Sequence, residues 1–154
     1  MLVLGIDPGI AITGYAILSF TKDDIKVVAS GSIQTSKNKS ESQRLAELYD
    51  DICEVIETYK PDIAAIEQLF YFKNLKTVIP VAQARGVVIM ALAQHNITLS
   101  EYTPLQVKQT ITGYGRATKD EVKQMTSVAL GCEMPKLDDT VDAIAIALCH
   151  LRHL

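Results

Sequence analysis

The sequence predicts an α/β fold in which helices flank one central mixed five-stranded sheet, within a single domain spanning residues 1–154. Three observations predict it. The opening run LVLGID is short, apolar and bounded by Pro8-Gly9, which reads as a buried strand rather than a helix. Two further stretches, 13–20 (TGYAILSF) and 25–34 (IKVVASGSIQ), follow across short polar connections, as an antiparallel meander requires. An amphipathic helix then leads into a second short strand ending in an acid, 62–67 (DIAAIE). That strand–helix–strand unit is a crossover, so its strand lies parallel to the first with the helix on one face.

Taken in order, each element has a local cause. Asp7 closes the first strand, where Pro8 fixes φ and Gly9 permits a tight reversal. A carboxylate on a buried strand is costly unless paired, so Asp7 either caps the turn or belongs to a group of acids gathered there. The linker 22–24 suits a hairpin. Ser40 with Gln43 forms a capping box, and Leu45, Leu48, Tyr49, Ile52, Val55, Ile56 and Tyr59 keep the spacing of one helix face until Lys60-Pro61 stops it. After Glu67 come three aromatics, Phe70, Tyr71 and Phe72. The next helix starts at Asn74 or Thr77 and runs to Gln94, with Pro80 in its first turn or at its true start. It is apolar on most sides, which suits central burial or a subunit interface. Residues 97–102 read as a strand and 104–111 as a short helix, followed by a mobile Gly113-Tyr114-Gly115 turn. Thr118 and Glu121 cap a helix ending at Gly131. The final helix begins in LDDTVD and continues as AIAIALCH; Asp138 or Asp139 is available as its cap, and Asp139 and Asp142 lie one turn apart.

Composition sets limits. The chain is 48% hydrophobic and 21% charged, which is globular rather than disordered. No apolar run reaches the ~18 residues that span a bilayer, and no basic leader precedes the first strand, so no membrane role and a cytoplasmic location are expected. Three widely spaced cysteines, Cys53, Cys132 and Cys149, fall on segments read as helical and have no metal-binding pattern; reduced core cysteine is the simplest reading. The net charge is −3, yet between residues 70 and 123 seven basic side chains face three acidic ones. That basic middle section permits a polyanion-binding face.

The chemistry lies in the acids. Asp7 and Glu67 end parallel strands and emerge at one edge of the sheet if the strands are neighbours, the edge where open α/β sheets build their sites. Asp139 and Asp142 share a helix face. Asp142 is the harder one to assign to capping, since it sits inside an otherwise apolar helix. Four carboxylates share a pocket only with cations between them. All-oxygen ligands favour hard ions, Mg²⁺ by default, with Mn²⁺ as a substitute. Two such ions roughly 3.5–4 Å apart activate water and stabilise a leaving oxygen in phosphodiester cleavage.

Four pieces in this order, GIDPG at 5–9, EQLFY at 67–71, VKQTITGYGRATKDEV at 107–122 and DTVDAIAIALCH at 139–150, resemble the RuvC family of Holliday-junction resolvases over essentially the whole chain. The resemblance implies a ribonuclease-H-like fold and a homodimer that nicks two symmetry-related strands of a four-way DNA junction. Asp7, Glu67, Asp139 and Asp142 match the family's acidic metal-binding residues; some members carry histidine at the position of Asp139. Lys108 and Lys119 match lysines near the scissile phosphate, and Lys119, opening a helix, suits stabilising charge on phosphate oxygens. Phe70 looks like the aromatic that stacks on a base at the opened junction, with core packing as its alternative. Arg116 and Arg85 suit phosphate contacts rather than base reading. Tyr114, between two glycines, suits a loop ordered by DNA. His95, His150 and His153 are read as structural or surface groups.

The departure from the family is the acidic overall charge. It places weight on the basic middle section and predicts steeply salt-sensitive DNA binding. The apolar helix around residues 81–92 is the candidate dimer interface, and coupling to a RuvA–RuvB branch-migration complex is implied by resemblance alone. Two other readings compete: a ribonuclease-H-like nuclease acting on RNA, as in YqgF-like relatives, and a junction-binding module that does not cleave.

Overall fold

A computed structural model describes residues 1–22, 24–69 and 75–154. Asp23, in the predicted hairpin linker, and residues 70–74, including Phe70, Tyr71 and Phe72, lie outside it. The described elements are β1 (Leu2–Asp7), β2 (Ile12–Phe20), β3 (Ile25–Gln34), α1 (Glu41–Tyr59), β4 (Ile63–Glu67), α2 (Leu75–Gln94), β5 (Thr98–Tyr102), α3 (Pro104–Thr112), α4 (Lys119–Leu130) and α5 (Asp138–Leu151). One five-stranded sheet runs in the order β3-β2-β1-β4-β5. β1, β2 and β3 pair antiparallel as the meander, while β1–β4 and β4–β5 are parallel. The mixed sheet is the one expected from the sequence.

Side chains alternate across a strand, which sorts each strand between two layers. Leu4, Ile6, Ile17, Ala64 and Ile66 pack with α1 and α2 on one face. Val3, Ala16, Leu18, Ala65 and Tyr102 pack with α3, α4 and α5 on the other. Asp7 and Glu67 continue the 3-5-7 and 65-67 alternation onto the α5 face. Helix α5 is buried along almost its whole length, from Ala143 to Leu151, because it lies between the sheet and the helices α3 and α4.

That contact is unusually close. A Cβ added at Gly5 would come within 2.1 Å of the Ala143 carbonyl oxygen and 2.8 Å of the Ala147 Cβ. At Gly14, paired with Asp7 across β1–β2, it would lie 1.9 Å from the Asp139 carbonyl oxygen. Only the absence of a side chain at these strand positions lets the α5 backbone rest on the sheet.

The predicted caps form where the sequence places them. Ser40 with Gln43 and Thr118 with Glu121 are complete capping boxes, and Lys60, at φ 50°, ends α1. A third box, Thr103 with Gln106, opens α3.

Several expectations change. Pro80 is neither in the first turn of α2 nor at its start; the helix begins at Leu75 and Pro80 lies inside it. A proline there lacks the N–H for the backbone bond to Lys76, a cost set against the burial of Ala84, Val88, Ala91 and Leu92 farther along the helix. Neither Asp138 nor Asp139 caps α5: Leu137 is the N-cap and makes no side-chain cap bond. Of the cysteines only Cys149 is buried, and Cys132 is exposed, one residue past the glycine that ends α4. Helix α2 buries Ala84, Val88, Ala91 and Leu92, yet Ile79 and Met90 are 66% and 51% exposed.

Candidate active site

Strand register brings the first two acids together. Ile6 pairs with Ile66 in the parallel β1–β4 ladder, and Asp7 and Glu67 are the next residue of each strand. Helix α5 brings the other two. Its first turn sits over Gly14, and the Thr140 hydroxyl donates to the Gly31 carbonyl at 3.1 Å, tying it to β3. With the cap position taken by Leu137, neither Asp139 nor Asp142 is used as the cap of α5, and both lie near the positive end of its dipole.

A cleft of about 460 Å³ opens between these elements, lined by Asp7, Glu67, Lys108, Lys119 and Asp142 over an apolar floor that includes Val107 and Ile146. Lys119 Nζ stands 3.0 Å from Asp142 Oδ2. Lys108 comes from α3, whose position follows from the Thr103 cap at the end of β5. Asp139 is not part of the cleft wall, but its charge acts on Asp7.

The electrostatics are those of crowded anions. Burial, and then the charges of Asp142, Glu67 and Asp139, push the Asp7 carboxyl up to about 8, against the pull of Lys119. Burial and Asp142 push Glu67 up to about 7, with Lys119 and Lys108 opposing. The hydrogen bond to Asp142 holds the Lys119 ammonium above its usual range. One ammonium does not satisfy this cluster.

A donor set made only of carboxylates, with Asp7 and Glu67 pushed well above the usual carboxylate range, fits a hard divalent cation. Among the described residues no three acidic, histidine or cysteine side chains close around a common point, and Asp142 is held by Lys119 instead.

The remaining predicted residues are more scattered. Arg116 is exposed in the turn before α4, and Tyr114, 58% exposed, borders a smaller hollow with Thr112, Ala117 and Met125. Arg85 is not in the cleft: its Nη2 donates to Glu101 Oε2 at 2.6 Å, joining α2 to β5. Phe70 lies outside the described residues. None of the three histidines lines the cleft. His150 is buried against the Tyr102 hydroxyl at 2.8 Å, and the Nδ1 atoms of His95 and His153 meet the carbonyls of Ala91 and Cys149. Sequence reasoning passed over Gly5 and Gly14, whose signal was glycine inside an otherwise apolar strand. It also passed over the Thr103–Gln106 box that orients Lys108.

A family model described as crossover junction endodeoxyribonuclease RuvC matches residues 3–150. The RuvC of Caldicellulosiruptor saccharolyticus is 52% identical over 153 residues, covering 98% of this chain and 92% of that one. The RuvC of Fusobacterium nucleatum subsp. nucleatum is also 52% identical, over 100% of this chain and 82% of that one. Among solved structures, Thermus thermophilus RuvC in complex with Holliday junction substrate superposes with a TM-score of 0.92 at 30% identity, covering 99% of this chain and 94% of that one. The sheet order, the position of α5 and these likenesses agree on a ribonuclease-H-like fold, and the chain belongs to the RuvC family of crossover junction endodeoxyribonucleases.

Proposed function

We propose that this chain resolves four-way (Holliday) DNA junctions by paired symmetric nicks, using metal-assisted hydrolysis with water as the nucleophile, in recombination and repair. The observation that carries the reading is the meeting of Asp7, Glu67 and Asp142 in one cleft with Lys119 and Lys108. Asp7, Glu67, Asp139 and Asp142 are the residues that would hold two Mg²⁺ ions, with Mn²⁺ as a substitute. When bound, the ions supply a nucleophilic water and neutralise charge on the leaving oxygen. Asp7 and Glu67, whose protons burial and neighbouring charge favour, would give them up where such ions bind. Lys119 releases Asp142 and turns its ammonium to the phosphate oxygens, while Lys108 holds the adjoining phosphate. Arg116 and Tyr114 extend the DNA contact, and Phe70, three residues past Glu67, stacks on a base at the junction centre. Arg85 joins that set only by giving up Glu101.

The whole chain acts as one unit, in the cytoplasm where its DNA lies. No helix among the described residues is long and apolar enough to cross a membrane. Paired nicks need two copies. Ile79, Ala82, Gly86 and Met90 recur at helical spacing on the outward side of α2, the surface we assign to the homodimer. Met90→Glu is expected to give monomers in sedimentation and to uncouple the two nicks. A RuvA–RuvB-type complex fits as the partner that moves the junction. An RNA substrate is not favoured, because family likeness extends over the full cleft, and a non-cleaving module would not keep four carboxylates.

The test compares a mobile four-way junction, linear duplex and structured RNA with Mg²⁺. Symmetric nicks on the junction alone are expected; equal cutting of duplex or RNA would refute the reading. Lys119→Gln is expected to slow single-turnover nicking by about a hundredfold, the usual cost of one lost charge-stabilising donor, with junction binding nearly kept.

A further inference from the structure

The loop between β1 and β2, residues 8–11, leaves directly from Asp7, and two threonines hold its backbone. Thr13, fully buried, donates its hydroxyl to the Gly9 carbonyl at 2.7 Å and accepts the Gly9 N–H at 3.2 Å. Thr35, one residue past β3, takes the next two carbonyls. Its hydroxyl donates to Ile10 O, and its backbone N–H donates to Ala11 O at 3.1 Å. The Thr35 hydroxyl is itself aimed from α1, where Arg44 Nε donates to Thr35 Oγ1 at 2.9 Å.

A hydroxyl carries one proton. With Arg44 donating to its oxygen, Thr35 has that proton free for Ile10 O, so the chain of bonds runs in one direction. All three loop carbonyls from Gly9 to Ala11 are thereby fixed. The Asp7 carboxylate is buried among the charges of Asp142, Glu67 and Asp139. The Asp7 backbone is the last rung of the β1–β2 ladder, opposite Gly14, and the loop is the link that joins those two residues.

We propose that Thr35 and Arg44 are positioning residues for the Asp7 carboxylate: Arg44 directs the Thr35 hydroxyl, Thr35 locks the β1–β2 loop, and the loop holds Asp7 at the angle a divalent ion needs. The inference rests on the nuclease reading, in which Asp7 is a metal ligand. A threonine serving only to join α1 to the sheet would affect folding and leave ion affinity alone.

Mn²⁺ binding to the DNA-free protein, read by loss of the free-ion EPR signal, separates the two roles. Thr35→Val keeps the shape and removes the proton; it is expected to weaken Mn²⁺ binding about tenfold, the low end for a lost support behind a ligand. The Mg²⁺ concentration for half-maximal nicking should rise in parallel, with junction binding in EDTA unchanged. Thr35→Ser restores the hydroxyl and should bind Mn²⁺ like wild type. Arg44→Gln, which leaves the loop untouched, should shift affinity the same way by less, and serves if the valine variant fails to fold. Wild-type Mn²⁺ affinity in both Thr35→Val and Arg44→Gln would overturn the proposal, as would a serine variant as weak as the valine one. A wild-type protein that binds Mn²⁺ but never nicks a junction would instead overturn the nuclease reading, since the ion measurement uses no DNA.

Discussion

Asp7→Asn is expected to abolish nicking, to leave junction binding intact, and to make the metal-free protein more stable than wild type at pH 8. The first effect follows from position. Asp7 lies deepest among the cleft acids and faces the charges of the other three. Losing a shared ligand forfeits several kcal/mol of charge stabilisation, so a drop of about a thousandfold or more is expected in a single-turnover assay. The stability effect follows from the same crowding. The folded protein holds the Asp7 proton up to about pH 8, whereas an unfolded chain releases it near pH 4. Between those values the unfolded state has the fewer protons, so wild-type stability without metal falls as pH rises through that window. Asparagine carries no such charge. The variant's advantage should be absent at pH 4 and reach about 2–5 kcal/mol at pH 8, since each pH unit between the two values is worth at most about 1.4 kcal/mol. Urea unfolding in EDTA at both pH values checks it. Excess Mg²⁺ should reverse the order, because only wild type gains from binding the ion.

Gly5→Ala should be among the most damaging single-methyl changes in the core. The new Cβ meets the Ala143 carbonyl at 2.1 Å and the Ala147 Cβ at 2.8 Å, and neither belongs to a flexible side chain. Helix α5 has to lift, which strips Val3, Ala16 and Ala65 of their cover. Ordinary overpacking costs about 1–3 kcal/mol, and a clash with backbone belongs at or above the top of that range. Gly14→Ala meets the Asp139 carbonyl at 1.9 Å and should behave alike. In both, the acids of α5 move relative to Asp7, so activity should fall further than the folded fraction does. Gly86→Ala is the comparison within the single chain: no atom of that chain stands within 4 Å of its added Cβ, and in protein diluted to the monomer alanine in a helix should gain about 0.5–1 kcal/mol. Denaturant midpoints for the three variants test the ranking.

Spacing alone exposes most of the fold, since the deciding signals are local. Apolar runs ending at Asp7 and Glu67 mark two of the three parallel strands, and Ser40–Gln43 and Thr118–Glu121 mark the starts of α1 and α4 within a residue. Where expectation and structure part, a neighbour distant in sequence decides. Pro80 resembles a helix start, but the rest of α2 packs well enough to carry it inside. Asp138 and Asp139 resemble caps, but the close seat of α5 on Gly14 sets where that helix begins. Arg85 looks free for DNA in the sequence, and Glu101, sixteen residues on, holds it. The four acids are legible because their chemistry is improbable elsewhere; the Thr35–Arg44 support is not, because threonine and arginine are ordinary at those places.

Asp139 and Asp142, two of the acids we assign to metal binding, ride on α5, whose residues from Ala143 to Leu151 are all buried. Its amides should exchange with deuterium only through complete opening of the molecule, while those of α2's outward turns exchange through local excursions. Heating should therefore silence catalysis and dissolve the native state over the same few degrees, with no folded but inactive species in between.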